Sequence, residues 1–313
     1  MNTDPVATAN CWFLTGPTAS GKTAVGLELA RMLGAEIISL DSMALYRGMD
    51  IGTAKPTPAE RAATPHHLVD IIDPDQESSL AQYVDAAGLA AGEIASRRRV
   101  PLFVGGTPLY LKALLRGIFA GPPADWTLRR KLQAVARAEG TQSLHARLAE
   151  VDPRTARRLH PRDERRVIRA IEVWEKTGQS ITDLQQQFDR VRTAEACRVF
   201  VLDWPRTELI ELINARVGAM FEHGLMDEVR GLLARPLGLS RTASQALGYR
   251  EVIEHLEGAR NLAETIELVK LRTRQFAKRQ MTWFRSLSEC RFVSVAGSFD
   301  ASSIAKGLTT ARP

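Results

Sequence analysis

Eight residues near the N-terminus, Gly16, Pro17, Thr18, Ala19, Ser20, Gly21, Lys22 and Thr23, have the types and spacing needed to hold a phosphate. They complete a GxxxxGK[ST] pattern. Glycine-framed backbone lets several N–H groups converge on one point, Lys22 adds a full positive charge, and the Thr23 hydroxyl can reach a magnesium ion. An apolar run, Cys11-Trp12-Phe13-Leu14, precedes the loop, and a helical pattern carrying Val25, Leu27, Leu29, Ala30 and Leu33 follows it. Strand, loop and helix N-terminus in that order form an anion cradle at the positive end of the helix dipole. The cradle by itself specifies neither a nucleotide nor a kinase.

Two further stretches carry candidate chemistry. Glu36-Ile37-Ile38-Ser39-Leu40 reads as a strand that ends in Asp41 and Ser42. Ligand crevices in open α/β sheets lie beyond the carboxyl ends of strands, so Asp41 stands beside the cradle if its strand neighbours the first one. Capping a helix is the other use for such a pair. The strand pattern from Val100 to Val104 runs into Gly105-Gly106-Thr107, where many nucleotide triphosphatases place an aspartate that orders magnesium and water. Two glycines allow close backbone approach, and Thr107 offers a hydroxyl instead of a charge. That substitution argues against ATP hydrolysis as the main business.

The elements that must position these groups are those of a cytoplasmic α/β protein. The chain has 313 residues, 44% apolar and 25% charged, and no run approaches the roughly 18 apolar residues of a membrane span. Cys11, Cys197 and Cys290 stand far apart, with neither metal spacing nor a disulfide framework. Met43 to Pro56, punctuated by glycine and proline, is predicted to be loop and not core. Its Arg47 and Lys55 could each meet phosphate. The stretch from Pro65 to Pro74 reads as a third strand whose His66 and His67 are structural, since no further metal ligand is spaced to join them. A helix is predicted over residues 79–96, with Arg97, Arg98 and Arg99 placed at its end as the dipole favours.

Strand-helix alternation then lapses. Residues 117–197 read as an all-helical insertion, with helical patterns over 128–138, 144–148 and 165–176. The segment 125–198 holds sixteen Lys and Arg against eleven Asp and Glu, and so most of the formal net charge of +6. A basic segment of this kind suits a polyanion partner, as it would suit a solvated helical face. Arg162, Arg165 (or Arg166) and Arg169 fall on one helix face. The sheet resumes at Val199-Phe200-Val201-Leu202-Asp203. Helices follow over 206–223 and 226–233, then a loop holding residues 245–250, then a long helix over 262–284. That last helix interleaves Lys270, Arg272, Arg274, Lys278 and Arg279 with Phe276, Trp283 and Phe284. A final strand is predicted over 291–295, and the tail after Gly297 is expected to be weakly ordered.

Taken together, GPTASGKT (16–23), DSMALYRGMDIGTAKP (41–56), PHHL (65–68), VGGTPLY (104–110), HPRDERRVIR (160–169), QALGYR (245–250) and RQFAKRQMTWFR (274–285) resemble the tRNA dimethylallyltransferase, or tRNA isopentenyltransferase, family. The likeness runs from near Cys11 to about Val295 and is to the bacterial type, without a zinc-finger extension. One departure is Ala44, where many relatives carry Gln.

The resemblance implies a P-loop nucleotide-hydrolase-like parallel sheet flanked by helices, built from residues 1–116 and 198–313, with the helical insertion 117–197 gripping the tRNA anticodon arm. It implies transfer of a dimethylallyl group from dimethylallyl diphosphate to N6 of the adenosine next to the anticodon, in tRNAs reading codons beginning with U. Asp41 would be the general base and Thr107 its hydroxyl partner. Residues Gly16 to Thr23 and Arg216 would hold the diphosphate, with Mg2+ on Thr23. Contacts to tRNA would come from Asp41, Ser42, Met43, Ala44, Thr107, Arg129, Arg165, Arg166, Val167, Ile168, Arg169, Gln245, Ala246, Leu247, Gly248, Tyr249 and Arg250. A monomer is the expected state. Two other readings use the same loop: an ATP-dependent small-molecule kinase, and a non-catalytic RNA-binding protein with a disused cradle.

Overall fold

The computed structural model describes residues 10–119, 121–184, 197–295 and 299–310. Along the chain run β1 (Trp12–Thr15), α1 (Lys22–Leu33), β2 (Ala35–Ser39), α2 (Pro58–Ala63), β3 (His66–His67), α3 (Leu80–Ser96), β4 (Val100–Val104) and α4 (Pro108–Arg116). Five helices follow: α5 (Trp126–Glu139), α6 (Thr141–Val151), α7 (Pro153–Arg158), α8 (Glu164–Thr177) and α9 (Ile181–Leu184). The chain then continues with β5 (Val199–Asp203), α10 (Arg206–Glu222), α11 (Leu225–Leu233), α12 (Arg241–Ser244), α13 (Tyr249–Leu256), α14 (Leu262–Arg285), β6 (Cys290–Ser294) and α15 (Ala301–Thr310).

These elements divide into two compact units, one spanning Arg116–Arg190 and the other Val6–Leu115 with Val191–Pro313. The larger unit is built on a six-stranded sheet of order β3-β2-β4-β1-β5-β6, parallel throughout. Its central strands are near-continuous apolar runs because both faces are covered, as parallel sheets require. Leu14, Leu102, Phe200 and Leu202 of the sheet pack with Val25, Leu29 and Ala30 of α1. The smaller unit is helical. Leu132, Leu144, Leu148, Val167, Ile168 and Ile171 form its core.

Several elements differ from the sequence expectation, each for a physical reason. The third strand shrinks to two residues because Leu68 and Asp70 adopt positive φ, which no strand continues through. Met43 to Pro56 does form turns, yet Tyr46 and Met49 are fully buried and pack with Leu225, Val229 and Tyr249. The Glu228 carboxylate accepts from the N–H groups of Asp50, Ile51 and Gly52, so this buried loop keeps its polar backbone paired. The stretch predicted as a loop over 245–250 instead enters α13 at Tyr249, and α7 is a short helix that periodicity missed.

The tail is the largest correction. α15 is a helix whose Ala305 and Leu308 are buried against α1, and Asp300 accepts from the N–H groups of Ser302 and Ser303 at its start. Its Ser, Thr and Gly content hid an apolar stripe of Ile304, Ala305 and Leu308.

Candidate functional site

The cradle forms as its sequence dictates. Gly21, at φ 80°, is the N-cap of α1, and neither a side-chain cap nor an acidic residue occupies the first turn. The first N–H groups of the helix are therefore left for an external anion. Ala19 also sits in the left-handed region, at φ 64°, a strained conformation for a residue with a Cβ. Its methyl group packs beside Ile213, Val217, Val269 and Ala277, which hold it there. Gly16 has no room for a side chain, since a Cβ would stand 2.9 Å from the Leu202 carbonyl oxygen.

A cavity of about 1070 Å³ opens on this loop, and every residue lining it belongs to the larger unit. Thr18 to Ala24 form one wall, Asp41 to Ala44 another, and Gly105, Gly106 and Thr107 lie with them. The expected condition for bringing Asp41 to the cradle does not hold. β2 pairs with β3 and β4, so β4 separates it from β1. The two glycines after β4 remove the obstruction. A Cβ on Gly105 would lie 2.3 Å from the Leu40 backbone, and one on Gly106 would be 2.6 Å from Gln280 Nε2. With no side chains at that strand end, Asp41 and Lys22 share one cavity.

Hydrogen bonds fix the acceptor side. Met43 N–H donates to Asp41 Oδ1 at 2.8 Å, and Ser42 N–H donates to Thr107 Oγ1 at 3.2 Å. Thr107 N–H donates to the Leu40 carbonyl at 3.1 Å, and the Tyr83 hydroxyl donates to the Ser39 carbonyl at 2.9 Å. Asp41 and Thr107 are thus held together at the ends of neighbouring strands.

The phosphate side is strongly electropositive. Lys22 is pushed down to about 7 by burial first and by the Arg216 charge second, while Asp41 pulls it up. Its Nζ donates to the Pro17 carbonyl at 2.6 Å. Arg216 comes from α10; burial lowers its pKa, Asp41 opposes that, and among the described residues its Nε has no hydrogen-bond partner. A buried guanidinium with an unsatisfied nitrogen, beside a desolvated lysine, is a site built for an anion. Thr23 lines the same cavity. Among the described residues no three His, Cys, Asp or Glu cluster as a metal site. The Thr23 hydroxyl is a hard oxygen of the kind magnesium takes beside water and substrate phosphates.

Of the expected tRNA contacts, Ser42, Met43, Ala44, Gln245, Ala246, Leu247 and Arg250 line the cavity with Asp41 and Thr107. Tyr249 does not: it is fully buried, and its hydroxyl donates to Glu228 Oε1 at 2.5 Å. Gly248, at φ 90°, is the N-cap that turns the chain into α13. In the helical unit Arg165 and Arg166 are exposed on α8, but Val167 and Ile168 are core residues at 1% and 3% exposure. The apolar stripe of α8 buries them, so their side chains cannot meet a ligand. Arg129 is held by the fully buried Glu172 at 2.9 and 2.8 Å, and Arg169 pairs with the same carboxylate. These two arginines neutralise a buried acid.

Lys55 and Arg47 are likewise engaged. Lys55 pairs with Asp50 and Asp70, and Arg47 with Asp73. His67 pairs with Glu36, and His66 Nδ1 meets the Thr64 carbonyl, which makes both structural.

Sequence reading missed Gln280. Buried at 3% exposure on α14, it accepts from Thr18 N–H at 2.9 Å and donates to the Gly106 carbonyl at 2.6 Å. An uncharged residue in a basic helix gave no signal. Arg272, Gln275, Phe276 and Arg279 of the same helix also line the cavity, and Arg279 lies 5.9 Å over the Phe276 ring.

The chain is similar to known proteins over most of its length. A family model described as IPP transferase matches residues 44–287, and one described as isopentenyl transferase matches residues 9–70. A tRNA dimethylallyltransferase of Pelotomaculum thermopropionicum is 46% identical over 296 residues, covering 94% of each chain. Its counterpart in Rhodopirellula baltica is 46% identical over 298 residues, covering 93% of this chain and 88% of that one. Among solved structures, a full-length tRNA isopentenylpyrophosphate transferase from Bacillus halodurans superposes with a TM-score of 0.69 at 38% identity, covering 96% and 95% of the two chains. A eukaryotic dimethylallyltransferase captured acting on tRNA gives a TM-score of 0.72 at 25% identity, over 91% of this chain and 73% of that one.

Proposed function

Because the chain belongs to the tRNA dimethylallyltransferase family, we propose that it transfers a dimethylallyl group from dimethylallyl diphosphate to N6 of an adenosine in tRNA, releasing diphosphate. The observation that carries this reading is the shared cavity: a carboxylate and a hydroxyl on one wall face a phosphate cradle on the other.

In this arrangement the N–H groups of the loop, Lys22 and Arg216 bind the diphosphate and stabilise the charge that grows as the allylic C–O bond breaks. Magnesium on Thr23 would add charge neutralisation to the leaving group. Asp41 accepts the proton as N6 forms its bond to carbon, a general-base role worth on the order of 10²–10⁴ in rate. Thr107 orients the amine. The acceptor is the adenosine next to the anticodon, which must leave its stack to reach Asp41, at a cost of roughly a few kcal/mol. Gln245, Ala246, Leu247 and Arg250 line its path. Exposed arginines of the helical unit, Arg165 and Arg166 foremost, grip RNA phosphates. The proposed acting species is a monomer.

The kinase alternative has less support, since Gly105, Gly106 and Thr107 stand where a magnesium-ordering acid would be needed. The test is mass spectrometry of tRNA nucleosides after incubation with dimethylallyl diphosphate and magnesium. A new N6-prenylated adenosine is expected. Binding of ATP but not of dimethylallyl diphosphate would overturn the reading.

A further inference from the structure

The phosphate loop is gripped from outside the cavity by two aromatic residues that take no part in lining it. Trp204, just after β5, donates its indole N–H to the Ser20 carbonyl at 3.1 Å. A trans peptide sets C=O and the following N–H in opposite directions. Drawing the Ser20 carbonyl outward therefore turns the Gly21 N–H inward, toward the anion. Phe299 rests on the next position. A Cβ built on Gly21 would lie 2.4 Å from Phe299 Cζ and 2.7 Å from its Cε2, so the ring fills the space a side chain would take.

The two rings support one another, with centroids 5.8 Å apart and planes at 29°. α15 follows directly after Phe299 and is anchored on α1 by Ala305 and Leu308, beside Val25, Leu29 and Ala30. The C-terminal segment therefore holds α1 along its length and, through Phe299, at the N-cap where the cradle begins. The positive φ of Ala19 is a conformation that a free loop would leave, whereas Gly21 adopts its own at no steric cost.

We propose that Phe299, with Trp204, is a positioning residue for the diphosphate. The pair keeps the Ser20–Gly21 peptide turned so that its N–H faces the leaving group. The inference rests on the diphosphate reading of the cavity.

The test is calorimetric titration with magnesium pyrophosphate, alongside steady-state prenyl transfer and binding of an anticodon stem-loop RNA. Phe299→Ala is expected to raise the Kd for pyrophosphate and the KM for dimethylallyl diphosphate on the order of tenfold, the effect of one misdirected hydrogen bond to a charged group. RNA affinity should stay unchanged. Phe299→Tyr, which keeps the ring, should restore wild-type values. Trp204→Phe should shift both constants in the same direction, and it decides the matter if Phe299→Ala does not fold. Wild-type constants in Phe299→Ala would overturn the proposal, as would parallel loss of pyrophosphate and RNA binding with a lowered Tm. Wild-type protein that binds pyrophosphate but transfers no prenyl group would refute the functional reading alone, leaving the titration to judge the two aromatics.

Discussion

Arg216 stands close enough to Lys22 for its charge to add to the effect of burial on the ammonium group, and together they bring Lys22 down to about 7. Two desolvated cations facing one another destabilise each other until an anion arrives between them. The site is poised for a polyanionic leaving group, and the consequence is measurable.

Binding of dimethylallyl diphosphate should be linked to protonation of Lys22. In the free protein the pKa is depressed, so half of the lysines are neutral near pH 7. The bound anion favours the charged form and raises the pKa. Affinity is therefore fully present below pH 7 and falls as pH rises above it, by about tenfold per unit until the bound-state pKa is reached. Calorimetry at pH 8 in buffers of different ionisation enthalpy should show uptake of about one proton. Uptake that is the same at pH 6 and pH 8 would exclude this linkage.

Removing the base should separate chemistry from binding. Asp41→Ala is expected to lower kcat by roughly 10²–10⁴, while tRNA affinity stays near wild type. The carboxylate also accepts the Met43 N–H, so Asp41→Asn, which keeps that bond, is the companion variant. Equal loss of turnover and tRNA binding in both variants would make Asp41 structural.

Gln280 joins the two halves of the reaction. Gln280→Ala leaves Thr18 N–H and the Gly106 carbonyl without partners in a buried place, a loss of about 1–3 kcal/mol for each group stranded. Gln280→Glu keeps the acceptor for Thr18 and loses the donor to Gly106. The expected outcome is a lowered Tm and a raised KM for dimethylallyl diphosphate in Gln280→Ala, and a larger rise of that KM in Gln280→Glu, whose carboxylate would face the Gly106 carbonyl and add negative charge to the anion site. Thermal unfolding and steady-state kinetics together check this.

Charge reversal at Arg165 and Arg166 should weaken tRNA binding and flatten its dependence on salt. For every RNA phosphate that an arginine no longer neutralises, the slope of log K against log salt shrinks by about 0.7–0.9. Titrations of tRNA at three or more salt concentrations measure the slope directly. An unchanged slope would remove α8 from the RNA surface. The same change at Arg129 should instead destabilise the helical unit, because Glu172 would be left buried and underpaired.

Local pattern and chemistry were legible in the linear sequence. The loop from Gly16 to Thr23, the apolar strands and the long helices are written in residue types and periods that act over a few neighbours. Glycine at 105 and 106 already announced a close backbone approach, and Thr107 already replaced a charge with a hydroxyl. Tertiary structure alone decided the rest. It placed β4 between Asp41 and the cradle and then opened the way through two missing side chains. It buried Tyr46, Met49 and Tyr249 out of stretches rich in turn residues, and it paired Arg129 and Arg169 with a buried acid. It made a helix of the tail and set Phe299 against Gly21 from the opposite end of the chain. The reason is physical: side-chain type sets what a residue can do, but burial and partners from distant parts of the chain set which of those things it does.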